Sequence, residues 1–150
     1  MSVFRRQKGL ALVEFTITAP FLLLMMLAGS ELVRAFTQYT ILADSVRDAL
    51  TYAARQANLD STNTPDLTAP QRRQIRNLVR FGNVAGTGAA VLPGLGDDQV
   101  VVSIVGGDDV QIVVAYPYRP MLGATLPSFR FGAAISSAFT LSITNRMRTL

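Results

Sequence analysis

The feature that most limits this chain is an apolar run close to its N-terminus. From Leu10 to Gly29, 20 consecutive positions hold one charged residue, Glu14, and the centre reads Pro20-Phe-Leu-Leu-Leu-Met-Met-Leu-Ala28. A helix rises about 1.5 Å per residue, so the run covers roughly 30 Å, the hydrocarbon thickness of a bilayer. A single membrane-spanning helix is therefore predicted over residues 10–30. It follows a short leader, 1–9, and precedes a body, 31–150, with room for one modest domain.

Charge agrees with this division. The formal net charge is +4, but Arg5, Arg6 and Lys8 all precede the apolar run, and without them 11 arginines face 10 acids. The basicity is thus partly a property of the leader, where positive residues stay cytoplasmic and direct the body out of the cytoplasm. It does not point to nucleic acid. The absence of cysteine suits an extracytoplasmic domain without disulfides and a cytosolic one equally.

An ordinary secretory signal explains the first 28 residues less well. The apolar run exceeds the usual h-region of about 7–15 residues. Met26-Leu27-Ala28 puts methionine where signal peptidase wants a small side chain. A carboxylate at position 14 is also an odd inclusion in a segment made to be discarded.

The stretch Arg5-Arg6-Gln7-Lys8-Gly9-Leu10-Ala11-Leu12-Val13-Glu14-Phe15 resembles the class III signal of type IV pilins and pseudopilins. The resemblance implies cleavage between Gly9 and Leu10 by a prepilin peptidase on the cytoplasmic side, making Glu14 and Phe15 the fifth and sixth mature residues. Each part has a physical use. Gly9 lets the peptide lie extended in a narrow cleft, and Arg5, Arg6 and Lys8 hold the cut site at the membrane surface. The new α-amine of Leu10 would sit one helical turn from Glu14, whose carboxylate is costly in apolar surroundings unless paired. The partner is the amine of its own chain or of a neighbouring subunit, and the resemblance implies the neighbour. Pro20 removes one backbone donor and is expected to kink or loosen the helix. The bland alternative is a plain anchor whose Glu14 snorkels to the interface.

Beyond the membrane segment, Leu32, Phe36, Tyr39, Ala43, Val46, Leu50 and Ala53 recur at spacings of four and three, the seam of an amphipathic helix. That seam suits packing on the protein's own sheet, or on another subunit. Glu31/Arg34 and Asp44/Arg47 are i,i+3 pairs on its flanks. Residues 58–69 read as a polar loop. Thr68 and Gln71 suit a capping box opening a short helix, with Pro70 in its first turn and Gly82 ending it after Phe81. Arg72, Arg76 and Arg80 form one stripe of that helix beside Arg73. A solvated basic face explains them, with acidic lipid headgroups or an acidic partner as the alternative, and no aromatic residues interleave to form a nucleic-acid groove.

Val84–Gly96 reads as a loose Gly/Ala-rich connection. Val100–Val105 and Val110–Tyr116 flank Gly106-Gly107-Asp108-Asp109, a hairpin signal. Both strands are apolar on both faces, which predicts a central pair covered on each side or a subunit contact. A last strand, Ile135–Met147, points Phe139, Leu141 and Ile143 inward and Ala138, Thr140, Ser142 and Thr144 outward. The fold class is α+β, a long helix packed on a small antiparallel sheet. Asp97-Asp98 and Asp108-Asp109 would lie at opposite ends of a strand, roughly 27–30 Å apart at about 3.3 Å per residue, too far to share calcium. No metal site, cofactor or catalytic constellation is predicted; histidine, cysteine and a phosphate-binding glycine loop are all absent from the sequence.

Taken along its length, the chain resembles the TadE-like minor pilins, or pseudopilins, of the Tad (Flp, tight-adherence) pilus system. The elements are Gly9-Leu-Ala-Leu-Val-Glu-Phe15, Pro20-Phe-Leu-Leu-Leu24, Glu31-Leu-Val-Arg34, Leu78-Val-Arg-Phe-Gly-Asn83, Val113-Val-Ala-Tyr-Pro117 and the closing Ser137–Arg148. Pro93–Gly107 and Arg119–Gly132 match only weakly, so the resemblance carries over no partner surface there. The resemblance implies a non-enzymatic, single-pass inner-membrane subunit with a cytoplasmic N-terminus. Its expected partners are prepilin peptidase, other pilin or pseudopilin subunits, the assembly platform and membrane lipid. A competing reading is an uncleaved, membrane-anchored binding module; a secreted enzyme released near Gly29 is third.

Overall fold

The computed structural model describes residues 3–59, 65–107, 109–121, 123, 125–126, 135–136 and 138–148. Helix α1 runs unbroken from Val3 to Gln56, 54 residues and about 80 Å long at 1.5 Å per residue. Residues 9–30 of α1 are almost all exposed, and the first buried side chain among the described residues is Ala35. From there the inward face carries Gln38, Leu42, Val46, Ala49, Leu50, Ala53 and Ala54. These spacings of three and four keep one stripe on the sheet.

The amphipathic seam therefore holds only in part. Val46, Leu50 and Ala53 are buried and Ala43 is half-buried, but Leu32, Phe36 and Tyr39 are exposed. Large apolar side chains drew the predicted stripe toward the wrong face near the membrane, where the small Ala35 and the polar Gln38 make the contact.

Strands β1 (Asn58–Leu59) and β2 (Pro65–Asp66) pair antiparallel, so the ends of the expected polar loop form a short ladder. Helix α2 then spans Ala69–Phe81. Gln71 Oε1 accepts from the Thr68 N–H at 2.8 Å, the reciprocal half of a capping box, and Gly82 closes the helix in the left-handed region at φ 69°. The Gly82 N–H returns to Leu78 O at 2.9 Å.

The main sheet is antiparallel in the order β3-β4-β7, with β3 Val100–Val105, β4 Asp109–Pro117 and β7 Thr140–Arg148. Val105 opposes Asp109, so Asp109 belongs to the second strand and the link between the strands is shorter than predicted. Both glycines have positive φ, 69° and 88°, a conformation other residues resist. Only β4 is central. Val110, Ile112, Val114 and Tyr116 are buried under α1 while Gln111, Val113 and Ala115 look away, so the expectation of a pair covered on both faces is not met. Edge strand β3 stays half-exposed because α2 covers part of it.

The closing segment differs from the single strand expected over 135–147. Ile135–Ser136 (β6) pairs instead with Thr125–Leu126 (β5), and β7 begins at Thr140. Within β7, Ile143 is buried, Leu141 half-buried, and Thr140, Ser142 and Thr144 exposed, the alternation anticipated, but Phe139, expected inward, lies before the strand and is exposed. The Gly/Ala-rich connection is less loose than its composition suggests. Leu92 and Leu95 enter the core, and the Tyr116 hydroxyl donates to Pro93 O at 2.9 Å.

Central burial sets a stability contrast. Ile112→Ala on β4 should cost about 2–5 kcal/mol, whereas Val101→Thr on the exposed face of β3 should stay within about 0.5 kcal/mol. Chemical denaturation of both variants in the same detergent measures the difference.

Candidate functional site: the membrane helix and its exit

The segment 9–34 presents apolar side chains outward on every side. Leu10, Leu12, Phe15, Ile17, Phe21, Leu22, Leu23, Met25 and Met26 are all at least 60% exposed. This helix is long and apolar enough to cross a membrane, and none of its most apolar stretch is buried against the protein. Polar groups along it are mostly satisfied from within. The Thr16, Thr18 and Ser30 hydroxyls donate to the carbonyls of Leu12, Glu14 and Leu27 at 2.7, 3.0 and 2.8 Å. Glu14 differs: its carboxylate has no hydrogen-bond or ionic partner among the described residues.

Gly9, Leu10, Glu14 and Phe15 occupy successive turns of α1. Leu10 and Glu14 stand four residues apart and so share a face. Gly9 is helical rather than extended, and a Cβ there would meet nothing within 4 Å. Packing within the chain therefore sets no demand for glycine at this position. Arg5, Arg6 and Lys8 belong to the first turns of the helix, and their side chains lie outside the described residues. The helix continues through Pro20 without interruption, although the proline leaves the Thr16 carbonyl without its usual donor.

At the other end of the apolar run the first charged residue is held tightly. The Tyr118 hydroxyl donates to Glu31 Oε1 in a very short hydrogen bond, and the Met121 N–H donates to the same oxygen at 3.0 Å. Tyr118 is buried, stacks on Phe139 with ring centroids 4.8 Å apart, and its N–H donates to Phe139 O at 2.9 Å. Burial, with the adjacent Glu31 carboxylate, pushes the Tyr118 phenol up from 10.0 to about 12. The sequence suggests Arg34 as the partner of Glu31; the structure joins Glu31 to a tyrosine 87 positions away. Only the placement of an acid at the last turn of the apolar run hinted at such a role.

Residues 9–57 match the family described as TadE-like protein. This segment is TadE-like. The match begins at Gly9, covers the whole apolar run, and ends one residue beyond α1. The likeness covers 49 of the 150 residues, all of them in α1 and the residue after it. No curated protein and no solved structure matches the chain.

Beyond the TadE-like segment, the basic stripe of α2 proves to be structural. Arg72 donates to the carbonyls of Leu67 and Val102 at 2.8 and 3.2 Å and lies 3.8 Å from Asp66. Arg80 donates to Leu95 O at 3.2 Å and to Asp97 Oδ1 at 3.3 Å, with its guanidinium 4.9 Å from the Phe81 ring centre. Arg76 Nε lies 3.5 Å from the same Asp97 oxygen, an ion pair without an aligned hydrogen bond. The solvated face expected of these arginines is thus replaced by a seam joining α2 to the loop and to β3. Arg73 stays exposed at an open polar cleft of about 430 Å³ shared with Arg76, Asn77, Arg80 and Asp97.

This seam is also far from the membrane exit. Gln71 Nε2 donates to Gln56 O and the Tyr52 hydroxyl to Gln74 Oε1, so α2 runs back along the far end of α1. Tyr52 stands 21 residues past Glu31, about 30 Å along the axis at 1.5 Å per residue.

Two measurements follow from these contacts. Tyr118→Phe should destabilise the folded protein by about 1.5–3 kcal/mol, as expected for a hydrogen bond to a charged group. Because the folded pKa is raised, the Tyr118 contribution is intact below pH 10 and is lost as pH rises toward about 12. The stability difference between wild type and Tyr118→Phe should accordingly shrink over that window in denaturation series run from pH 8 upward. Separately, Arg80→Ala should cost about 1–2 kcal/mol through its lost carbonyl bond and stem packing, measurable by the same denaturation.

Proposed function

We propose that this chain is a minor pilin, or pseudopilin, that takes part in assembly, priming or tip formation of a Tad/Flp-type adhesive pilus. It enters the inner membrane as a single-pass, non-enzymatic subunit with its N-terminus cytoplasmic and its sheet domain outside. Prepilin peptidase cuts it between Gly9 and Leu10. The observation that carries the reading is Glu14, exposed on the apolar helix without a described partner, in a TadE-like segment that starts at Gly9. A carboxylate so placed is unfavourable in hydrocarbon and calls for a cation. Cleavage supplies one in the α-amine of Leu10, on its own chain or on a neighbouring subunit. The open space around Gly9 supports recognition from outside the chain as the reason for that glycine.

Partners in this reading are the peptidase, other pilin or pseudopilin subunits, the assembly platform and lipid. N-terminal sequencing of protein extracted from membranes should begin at Leu10, and Gly9→Phe should retain the leader and abolish the size shift. A chain beginning at Met1 or Ser2 would instead favour an uncleaved anchored binding module. Deleting the gene should reduce or abolish surface pili while leaving the major subunit present; unchanged piliation would count against the assembly role.

A further inference from the structure

The loop that leaves β4 is fastened to α1 where the apolar run ends. Glu31 directly follows Ser30, and the Met121 N–H reaches its carboxylate at 3.0 Å. Met121 cannot therefore stand far above the level at which the helix leaves hydrocarbon. Its side chain is 78% exposed, and Phe139, stacked on Tyr118 beside it, is 48% exposed. An exposed methionine alone needs no explanation. Its depth decides the matter, because apolar and aromatic groups at the membrane–water boundary gain by entering it.

We propose that residues 118–121, with Phe139, form a membrane seat in which Met121 enters the interfacial layer of the bilayer around α1. The partner is the lipid surface, and the proposal rests on the reading that α1 spans the membrane. Met121 is suited to the place: it is unbranched and flexible, and fits the irregular packing between headgroups and acyl chains. Glu31 sits on the protein side of this contact, its charge occupied by Tyr118 and Met121, so the seat does not drag an unpaired carboxylate toward the hydrocarbon. The basic seam of α2 lies far along the helix and makes no part of it.

The chain contains no cysteine, so single-cysteine labelling reports one site at a time. Leu22→Cys, Met121→Cys and Arg55→Cys carry a polarity-sensitive fluorophore in the full chain, reconstituted into phosphatidylcholine–phosphatidylglycerol vesicles. Leu22 marks the membrane interior, and Arg55, exposed in the last turn of α1, marks the distant end. The label at 121 should shift to the blue, lose iodide quenching and be quenched by lipids spin-labelled near the headgroup, while that at 55 remains open to iodide. Quenching by spin-labelled lipid at 22 but not at 121 overturns the seat and leaves the spanning helix standing. A label at 121 that is shielded from iodide yet untouched by spin-labelled lipid places protein there instead, which also overturns it. No lipid quenching at 22 removes the membrane reading and the seat together.

Discussion

The packing of one face of α1 on strands β7 and β4 governs the remainder of the architecture. Leu42, Val46, Ala49 and Ala53 meet a sheet whose buried side is Val110, Ile112, Val114 and Tyr116. Each fully buried aliphatic side chain contributes on the order of 1.5–3 kcal/mol. The same helix carries no buried side chain before Ala35 among the described residues. One half thus packs on the sheet while the other is long and apolar enough to cross a membrane, and the unbroken backbone couples them. Helix α2 adds a second layer by placing Ile75 and Val79 in the core, and its arginines close the edge by satisfying carbonyls of Leu67, Leu95 and Val102.

Local rules made much of this readable in the sequence. Leu10–Gly29 marks an apolar helix by length alone, and Thr68, Gln71, Pro70 and Gly82 bound α2 because caps depend on near neighbours. The hairpin was equally visible in Gly106-Gly107. What escaped depended on distant partners. Nothing near Arg72 or Arg80 in the chain says that their stems lie along β3 and the 92–97 loop, so the stripe read as a solvated face. Leu92 and Leu95 were hidden in a Gly/Ala-rich stretch whose composition outweighed two buried leucines. The start of the last strand was misjudged because Ile135 and Ser136 continue its pattern while pairing elsewhere.

The candidate site divides in the same way. Gly9, Leu10, Glu14 and Phe15 were recognisable because their spacing is local, and their helical placement brings Leu10 and Glu14 onto one face. The roles of cleavage and pairing are proposals about partners, which spacing within one chain does not supply. Tyr118 was not singled out at all, since its meaning comes from a hydrogen bond spanning most of the body.

The two glutamates of α1 give the clearest physical distinction. Glu14 lies four residues into the apolar run and Glu31 just beyond its end. Glu31 is bound by its own domain, through a tyrosine hydroxyl and a backbone N–H, and so serves to fix the sheet domain against the helix. Glu14 has no such partner among the described residues, although neighbouring threonine hydroxyls fold back onto the helix and satisfy themselves. A carboxylate retained in hydrocarbon without an internal partner is a cost to the isolated chain. In the proposed role the amine exposed by cleavage offsets that cost. Among the described residues the two acids thus differ in whether the chain provides the other half of the pair, and the proposed assembly role gives Glu14 a partner from elsewhere.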